Sequence, residues 1–364
     1  MSTPAVQFRL LGGNRQALAV PDPLRWQYTL TANKPGGYSL TLGYSDLDPL
    51  TVQVVERVQV WWQTAPGLPW TWEAEYLVRK AVERRDRDGR HVWTLAGNEA
   101  GVLHLLKSRV IAANKGDARA DKLGFVTDVM RAYVREQCSA SAGRDRAFYE
   151  TLTVQADTGE GPVISKSAER AYVLDTLQAL VKAAAEPGPR AARVYFDLVP
   201  NGEGWLYLVR VGQLEQDRGL SSPAPVVLLA DSDLDEWEYE EDSEKEVTVV
   251  TVGGKTVDAV QPILTVADSN RLNTPPGNRW EAWVNQSGES DLKKLQAEGA
   301  KKLDEGAPLT RLRGTLAQGL YGDRVRYGRR LVVQRGTQLR EAWVDAVVVS
   351  GEKSVIKTEI RLES

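Results

Sequence analysis

The pattern nearest to a chemical motif is Gly253-Gly254-Lys255-Thr256, which ends like a phosphate-binding loop. Such a loop needs a first glycine five positions before the Gly-Lys pair, so that successive backbone amides curl around phosphate oxygens. It also needs a helix directly after it, to add the positive end of its dipole. Here that position is Val249, inside an alternating apolar run, and no helical pattern follows. The segment therefore reads as a hairpin turn. The two histidines, His91 and His104, stand in no metal-ligand spacing. His91 follows a turn and His104 lies within the apolar run Val102 to Leu106, so both read as structural. Cys138 sits at a helix end without an evident activating partner, and no Gly-x-Ser-x-Gly elbow occurs. Carboxylates are abundant enough for folding to assemble an acid–base pair without a local motif. No residue is assigned a catalytic, cofactor-binding or metal-binding role, no cofactor is expected, and the chain reads as a non-enzyme.

Composition points the same way. The 364 residues include 46 basic and 49 acidic side chains, for a net charge of −3. That balance argues against a surface built to grip nucleic acid. A single cysteine excludes a disulfide framework and a multi-thiolate zinc site. With 42% hydrophobic and 26% charged residues, the composition is globular, and the length is enough for two or three domains. No basic segment followed by an apolar stretch opens the chain, and no window carries the ~20 apolar residues of a membrane-spanning helix. A soluble protein made in a cytoplasm is expected.

Two features are left over. The first is the 11 tryptophans against only 4 phenylalanines. Strand alternation sends Trp61 and Trp62 to opposite faces, so one intramolecular core hardly serves both, and a subunit contact competes with plain packing. Trp70, Trp72, Trp93, Trp280 and Trp283 add to this surplus, for which carbohydrate stacking is the functional alternative. The second is the run from Asp231 to Glu246, with ten acids and one lysine. Leu234, Trp237 and Tyr239 are spaced through it, so it is not low-complexity disorder; the ordinary reading is an exposed connector.

The elements that would position these residues are mostly strands. Val6–Leu10, Trp26–Leu30, Tyr38–Leu42, Val52–Gln63, Glu73–Arg84 and His91–Gly97 are β-rich, with turn signals at Asn33-Lys34-Pro35-Gly36-Gly37 and Arg87-Asp88-Gly89. Their spacing points to a closed or nearly closed barrel. Leu123, Val126, Met130, Tyr133 and Val134 follow a helical period after Asp121 as cap. Leu174, Leu177, Leu180, Val181 and Ala184 form a second stripe, entered through Ser165 or Ser167 and stopped by Pro187-Gly188-Pro189. A hairpin joins Val194–Val199 to Trp205–Val211 through Asn201-Gly202. A strand over Val247–Val252 and a helix over Ser290–Leu303 that leaves at Gly306 come next. Strands over Asp323–Tyr327, Arg329–Gln334, Ala342–Val349 and Val355–Leu362 close the chain. The expected fold class is α+β, mainly β: a β-barrel over residues 1–110, an α+β insertion over 111–230, and a second β-barrel over 231–364 with a helix near 290–305.

The ordered set of segments resembles the baseplate-hub or tail-tip family of long-tailed bacteriophages, also found in contractile injection systems. Leu24-Arg25-Trp26 through Pro35-Gly36-Gly37-Tyr38-Ser39-Leu40-Thr41-Leu42 is similar to that family's opening strands. Leu95-Ala96-Gly97-Asn98-Glu99 and Leu105-Leu106-Lys107-Ser108-Arg109-Val110-Ile111 resemble its strand-to-helix passage. Pro162-Val163-Ile164-Ser165 with Val173-Leu174-Asp175-Thr176-Leu177-Gln178 looks like its middle helix, and Tyr321-Gly322-Asp323-Arg324-Val325 like its Leu-Gly-Asp-x-Val strand. Gly322 follows tyrosine rather than leucine, and Gly277-Asn278-Arg279-Trp280-Glu281 fits the family's Gly-x-Arg-Glu segment only loosely.

The resemblance implies a structural virion protein with two tail-tube-like barrels, assembled as a homotrimer in the host cytoplasm. It would join a sixfold tube to a threefold tip and form part of the DNA-ejection channel. The implied neighbours are a distal-tail or tail-tube ring protein, a tape-measure protein and a central fibre or spike, with DNA only as transient cargo. On that reading part of the 231–246 run faces the channel, and no cell-wall hydrolase domain follows Ser364. The alternatives are a carbohydrate- or receptor-binding tail module and, below it, a cell-wall hydrolase.

Overall fold

The computed structural model describes residues 4–44, 49–85, 89, 91–112, 119–142, 152–185, 192–201, 204–212, 226–257, 260–273, 277–322, 324–352 and 355–363. The N-terminal third contains β1 (Ala5–Leu11), β2 (Ala17–Ala19), β3 (Arg25–Thr31), β4 (Tyr38–Gly43) and the short helix α1 (Pro49–Val54). It continues through β5 (Arg57–Gln63), β6 (Thr71–Leu77), β7 (Lys80–Arg85) and β8 (His91–Gly97). The middle has β9 (Ala120–Phe125), α2 (Val126–Cys138), β10 (Leu152–Val154), β11 (Val163–Ala168), α3 (Val173–Ala184), β12 (Val194–Asn201) and β13 (Gly204–Val211). Then come β14 (Val226–Leu229), the single turn α4 (Ala230–Asp233), β15 (Leu234–Asp242), β16 (Val249–Gly253) and β17 (Ile263–Ala267). The chain ends through α5 (Ser269–Leu272), β18 (Glu281–Asn285), α6 (Leu292–Glu305), β19 (Leu309–Leu316), β20 (Arg330–Arg335), β21 (Gln338–Glu352) and β22 (Val355–Glu363). These form two compact units: Met1–Ala185 with Ala192–Glu238 and Leu312–Ser364, and Tyr239–Arg311 with Glu186–Ala191.

The expected class, mainly β with an α+β middle, is what forms. The strand pairing departs from the expected closed barrels: among the described residues it gives open sheets. The largest follows the order β15-β19-β22-β21-β3-β4-β8-β7, with β20 and β14 branching from β21. Strands from both ends of the chain thus share one sheet, joined where Tyr28 of β3 pairs with Val349 of β21. A smaller sheet, β2-β1-β5-β6, faces its N-terminal strands. Aromatic rings fill the space between them: Phe8 meets Trp26 at 5.3 Å, Tyr38 meets Tyr76 at 5.1 Å and Tyr28 meets Tyr76 at 6.4 Å between centroids. The Tyr76 hydroxyl, unable to reach water, donates to the Thr29 carbonyl at 2.9 Å. Each large apolar side chain buried this way contributes roughly 1.5–3 kcal/mol.

The middle segments build a second core within the same unit. The apolar stripes of α2 (Met130, Val134) and α3 (Leu174, Leu177) share one buried cluster with Phe196, Leu198, Tyr207 and Val209 of the β12–β13 hairpin. In the Tyr239–Arg311 unit, α6 lays Leu295 and Leu303 on Val250 and Val252 of the β17-β16-β18 sheet. Asp291 accepts from the Lys293 amide at 2.8 Å to start α6, and Arg271 donates to the Leu303 and Gly306 carbonyls at 2.8 and 3.0 Å to finish it.

Several local readings change. Val52 and Val54 belong to α1, not to a strand continuous with β5, and Glu73–Arg84 is two strands broken at Val78-Arg79. Leu123 and Asp121 lie in β9, whose pairing with β11 outweighs the helical period, so α2 starts at Val126. Ser165 and Ser167 are likewise in β11, and α3 begins after Tyr172. Residues 324–327 form a turn segment, not a strand, with Asp323 outside the described residues. Arg87, Asp88, Gly202 and Pro187-Gly188-Pro189 are also outside them.

Asn33 ties the β3–β4 turn to the middle segments. It has a left-handed φ of 57°, and its side chain donates to Val194 O at 2.9 Å and accepts from the Phe196 amide at 2.8 Å. Its own carbonyl accepts from Gln178 at 2.9 Å. Asn33→Ala loses two hydrogen bonds and forces alanine into a left-handed conformation, so a loss of about 2–4 kcal/mol is expected in denaturant unfolding. Asn33→Gly, which tolerates that φ, should lose about 1 kcal/mol less.

Candidate functional site

The residues that first raised chemistry do not converge. Gly253 ends β16, Gly254 donates its amide to Pro262 O at 2.8 Å, and Lys255 donates its amide to Glu289 O at 2.7 Å. Among the described residues the next element is the strand β17, not a helix whose N-terminus could receive a phosphate. His91 is exposed on β8, where its Nδ1 sits 3.0 Å from Glu83 and its ring meets the edge of Tyr44. His104 is half-buried in a short 3-10 turn; burial, with Lys107 and Arg79 nearby, holds its imidazole below the ordinary range. Cys138 is buried at the end of α2. Among the described residues no group of three His, Cys, Asp or Glu side chains is placed to hold a metal ion.

The two carboxylates that folding buries together on β6 are Glu73, at a bulge in the pairing with β5, and Glu75, both nearly inaccessible to water. Glu75 accepts from Arg57 at 3.1 Å, from Arg15 at 3.1 Å and from Gln59 at 2.7 Å. Glu73 accepts from the Tyr321 hydroxyl and lies 3.6 Å from Arg326. Arg15 also donates to Gly204 O at 3.1 Å, with its guanidinium 4.7 Å from the Trp205 ring centre. Buried carboxylates surrounded by guanidinium groups hold segments together. The cavity beside them has a volume of about 40 Å³, room for little more than water. Nearby, burial first and then the Tyr321 and Glu73 charges push the Tyr28 phenol well above its ordinary value. Sequence reading missed this cluster. Its one local trace is Glu-x-Glu inside an otherwise apolar strand.

The tail of this cluster explains one tryptophan. Trp62 is buried with its ring edge-on to Tyr321 at 4.9 Å. Gly322 has φ +88° and lies against the Trp62 indole, so any Cβ there collides with Nε1. Trp61, on the opposite face, is half-buried under Arg9 at 4.1 Å. Both therefore find cover inside the chain, while Trp280 and Trp283 remain 58% and 53% exposed.

The large sheet offers the most extensive organised surface. Its register places Lys357, Ser350, Gln27, Ser39, Ala96 and Lys80 in one row across six strands. The adjoining row, Gly351, Trp26, Leu40, Leu95 and Ala81, turns mostly into the core, as a period of two requires. One face of the sheet is thus apolar and packed, the other polar and open, crossed by a groove of about 450 Å³. Glu236 of the acidic run lies 4.0 Å from Lys357 on that polar face.

Its two outer strands differ in charge. At one edge β7 exposes Lys80, Arg84 and Arg85 against one exposed acid, Glu83, with exposed Arg79 just before it. At the other edge β15 exposes Asp235, Glu236 and Glu238. Unpaired edge strands are sites for another strand, and charge decides which strand is accepted.

No protein-family model matches the sequence, and no curated protein matches it. Solved structures do. The tail protein from Neisseria meningitidis MC58 aligns with a TM-score of 0.59 at 14% identity, over 100% of this chain and 97% of its own. The 43 kDa tail protein of prophage MuSo2 from Shewanella oneidensis aligns with 0.60 at 9%, over 98% of each chain. The chain has the fold of phage tail proteins. Prophage tail protein gp18 from Listeria monocytogenes EGD-e extends the likeness, at 0.52 and 12% identity, over 99% of this chain and 94% of that one. Coverage of whole chains means that the tail-protein fold accounts for the middle segments as well as the strands at the two ends.

In this fold Glu75 is a sensitive position. Its side chain is fully buried, and removing its charge takes a carboxylate away from both Arg57 and Arg15. Glu75→Gln is expected to lose about 3–5 kcal/mol in chemical denaturation. Glu236→Gln, at an exposed pair, should stay within about 1 kcal/mol of the parent.

Proposed function

We propose that the protein is a non-enzymatic structural component of a phage tail, the hub subunit at the distal end of the tail tube. The observation that carries this reading is the large sheet, open at a basic edge and at an acidic edge. A chain with two different, complementary edges associates head to tail, and head-to-tail association closes into a ring when the rotation allows it. In the proposed homotrimer β7 of each copy lies beside β15 of the next, and the polar face of the sheet lines the ring. The two groups of strands, β3-β4-β8-β7 and β15-β19-β22-β21, would give each subunit two tube-like halves, which is how three subunits match six above them.

A wall that passes DNA must not retain phosphate. On the polar face Ser39, Ser350, Gln27 and Thr41 are neutral, Arg25 and Lys357 are paired with Glu352 and Glu359, and Asp235, Glu236 and Glu238 place negative charge at its edge. This gives the acidic run its role in the channel. The neighbours in this proposal are a distal-tail or tail-tube ring protein above, a tape-measure protein within and a central fibre or spike below. Assembly takes place in the host cytoplasm and the finished part resides in the virion.

The association is tested by sedimentation at low ionic strength. The parent chain should run as a trimer, and the variant K80E/R84E/R85E as a monomer. Adding D235K/E236K/E238K to that variant should restore the trimer, because the charges are then exchanged but still complementary. A density map of the intact tail tests position: a map placing this chain away from the distal end, or β15 on its outer rim, overturns the proposal.

A further inference from the structure

The Tyr239–Arg311 unit contains a surface for which the ring has no use. Alternation on β16, β17 and β18 directs Val250, Val252, Leu264, Val266, Ala282 and Val284 toward α6. The opposite face carries Thr251, Gly253, Ile263, Thr265, Trp283 and Asn285, with Ile263 59% and Trp283 53% exposed. Half of a tryptophan left in water, where the fold could bury it on α6, is an unusual placement for the largest apolar side chain.

Trp283 does not stand away from the sheet. A Cβ on Gly253 would come within 2.5 Å of its Cζ2 and 2.9 Å of its Cη2, so the six-membered ring lies across the glycine. The sheet and Gln261 cover the ring where it meets Gly253, and the rest of the side chain leaves Trp283 53% exposed. The register surrounds this plate with neutral polar groups. Thr251 pairs with both Trp283 and Thr265, and the two threonine hydroxyls are 3.5 Å apart. Asn285 and Ile263 flank Gly253 on either side. The one carboxylate on this face, Glu281, is paired with Arg279 at 2.5 Å.

We propose that this face binds a neutral oligosaccharide, one sugar ring stacking on Trp283 and its hydroxyls meeting Thr251, Thr265 and Asn285. The assignment rests on matched chemistry. A pyranose has an apolar C–H face that suits an indole plate and a rim of hydroxyls that suits Thr and Asn. A face without net charge also matches an uncharged ligand and gives a phosphate-bearing polymer no attraction. The inference is independent of the ring proposed above, whose edges lie on other strands.

Calorimetric titration of the full chain with two neutral probes, chitohexaose and cellohexaose, tests it. At least one should bind with a sub-millimolar to millimolar Kd. Trp283→Ala should weaken that binding at least tenfold while leaving the unfolding midpoint of the chain close to the parent's. Gly253→Ala, which lifts the ring from the sheet, should weaken it as well; Trp61→Ala should have no effect. Two outcomes overturn the proposal: neither probe binds at 10 mM, a Kd at least tenfold (about 1.4 kcal/mol) weaker than that of a millimolar ligand, or Trp283→Ala changes the sedimentation of the chain instead of glycan affinity, which makes the face a contact between subunits.

Discussion

The structure depends on two acids being kept out of water. Glu73 and Glu75 each pay a large desolvation penalty on β6, and that penalty is offset only when arginines from distant segments arrive. Arg57 comes from the adjacent strand, Arg15 from the loop after β1, and Arg326 with Tyr321 from the C-terminal third. The strands of the small sheet therefore cannot reach their final state until the C-terminal segment has folded against them. Arg15 extends the same constraint to the middle of the chain through the Gly204 carbonyl and the Trp205 ring. The hydrophobic effect supplies most of the stability, but these ion pairs decide which segments meet.

A chain organised in this way leaves its outer surface free for assembly. The apolar rows of the large sheet are committed to the core, and its polar rows and edges are not. Charge on an edge strand ordinarily prevents sheets from joining. In the proposed ring, opposite signs on β7 and β15 would permit one joining and oppose the others, since like edges of two copies repel. Selectivity of this kind would rest on charge and strand geometry alone.

Much of the fold was legible because its signals are local. The turn at Asn33 to Gly37, the β12–β13 hairpin and the stripes of α2, α3 and α6 are each set by neighbours within a few residues. Errors came where a distant partner outweighed a local preference. Leu123 fits a helical period but pairs across β9 and β11, and Glu73–Arg84 reads as one strand although its halves join different sheets. The Glu73–Tyr321–Arg326 contact could not be read at all, because nothing near Glu73 announces a residue 248 positions away. The open sheet in place of closed barrels has the same origin, since strand order is a property of the whole chain. The acidic run was visible as composition, but its place on a sheet edge was not.

The pairing of Tyr28 with Val349 also sets a schedule. A ribosome releases β3 and β4 long before β21 exists, so during synthesis the central seam of the large sheet has one side only. Contacts this far apart in sequence make for slow closure. Until β19 to β22 arrive, the acidic edge strand has no sheet to belong to, and a nascent chain cannot offer both complementary edges at once. An incomplete chain therefore lacks one of the two edges that the proposed ring would join.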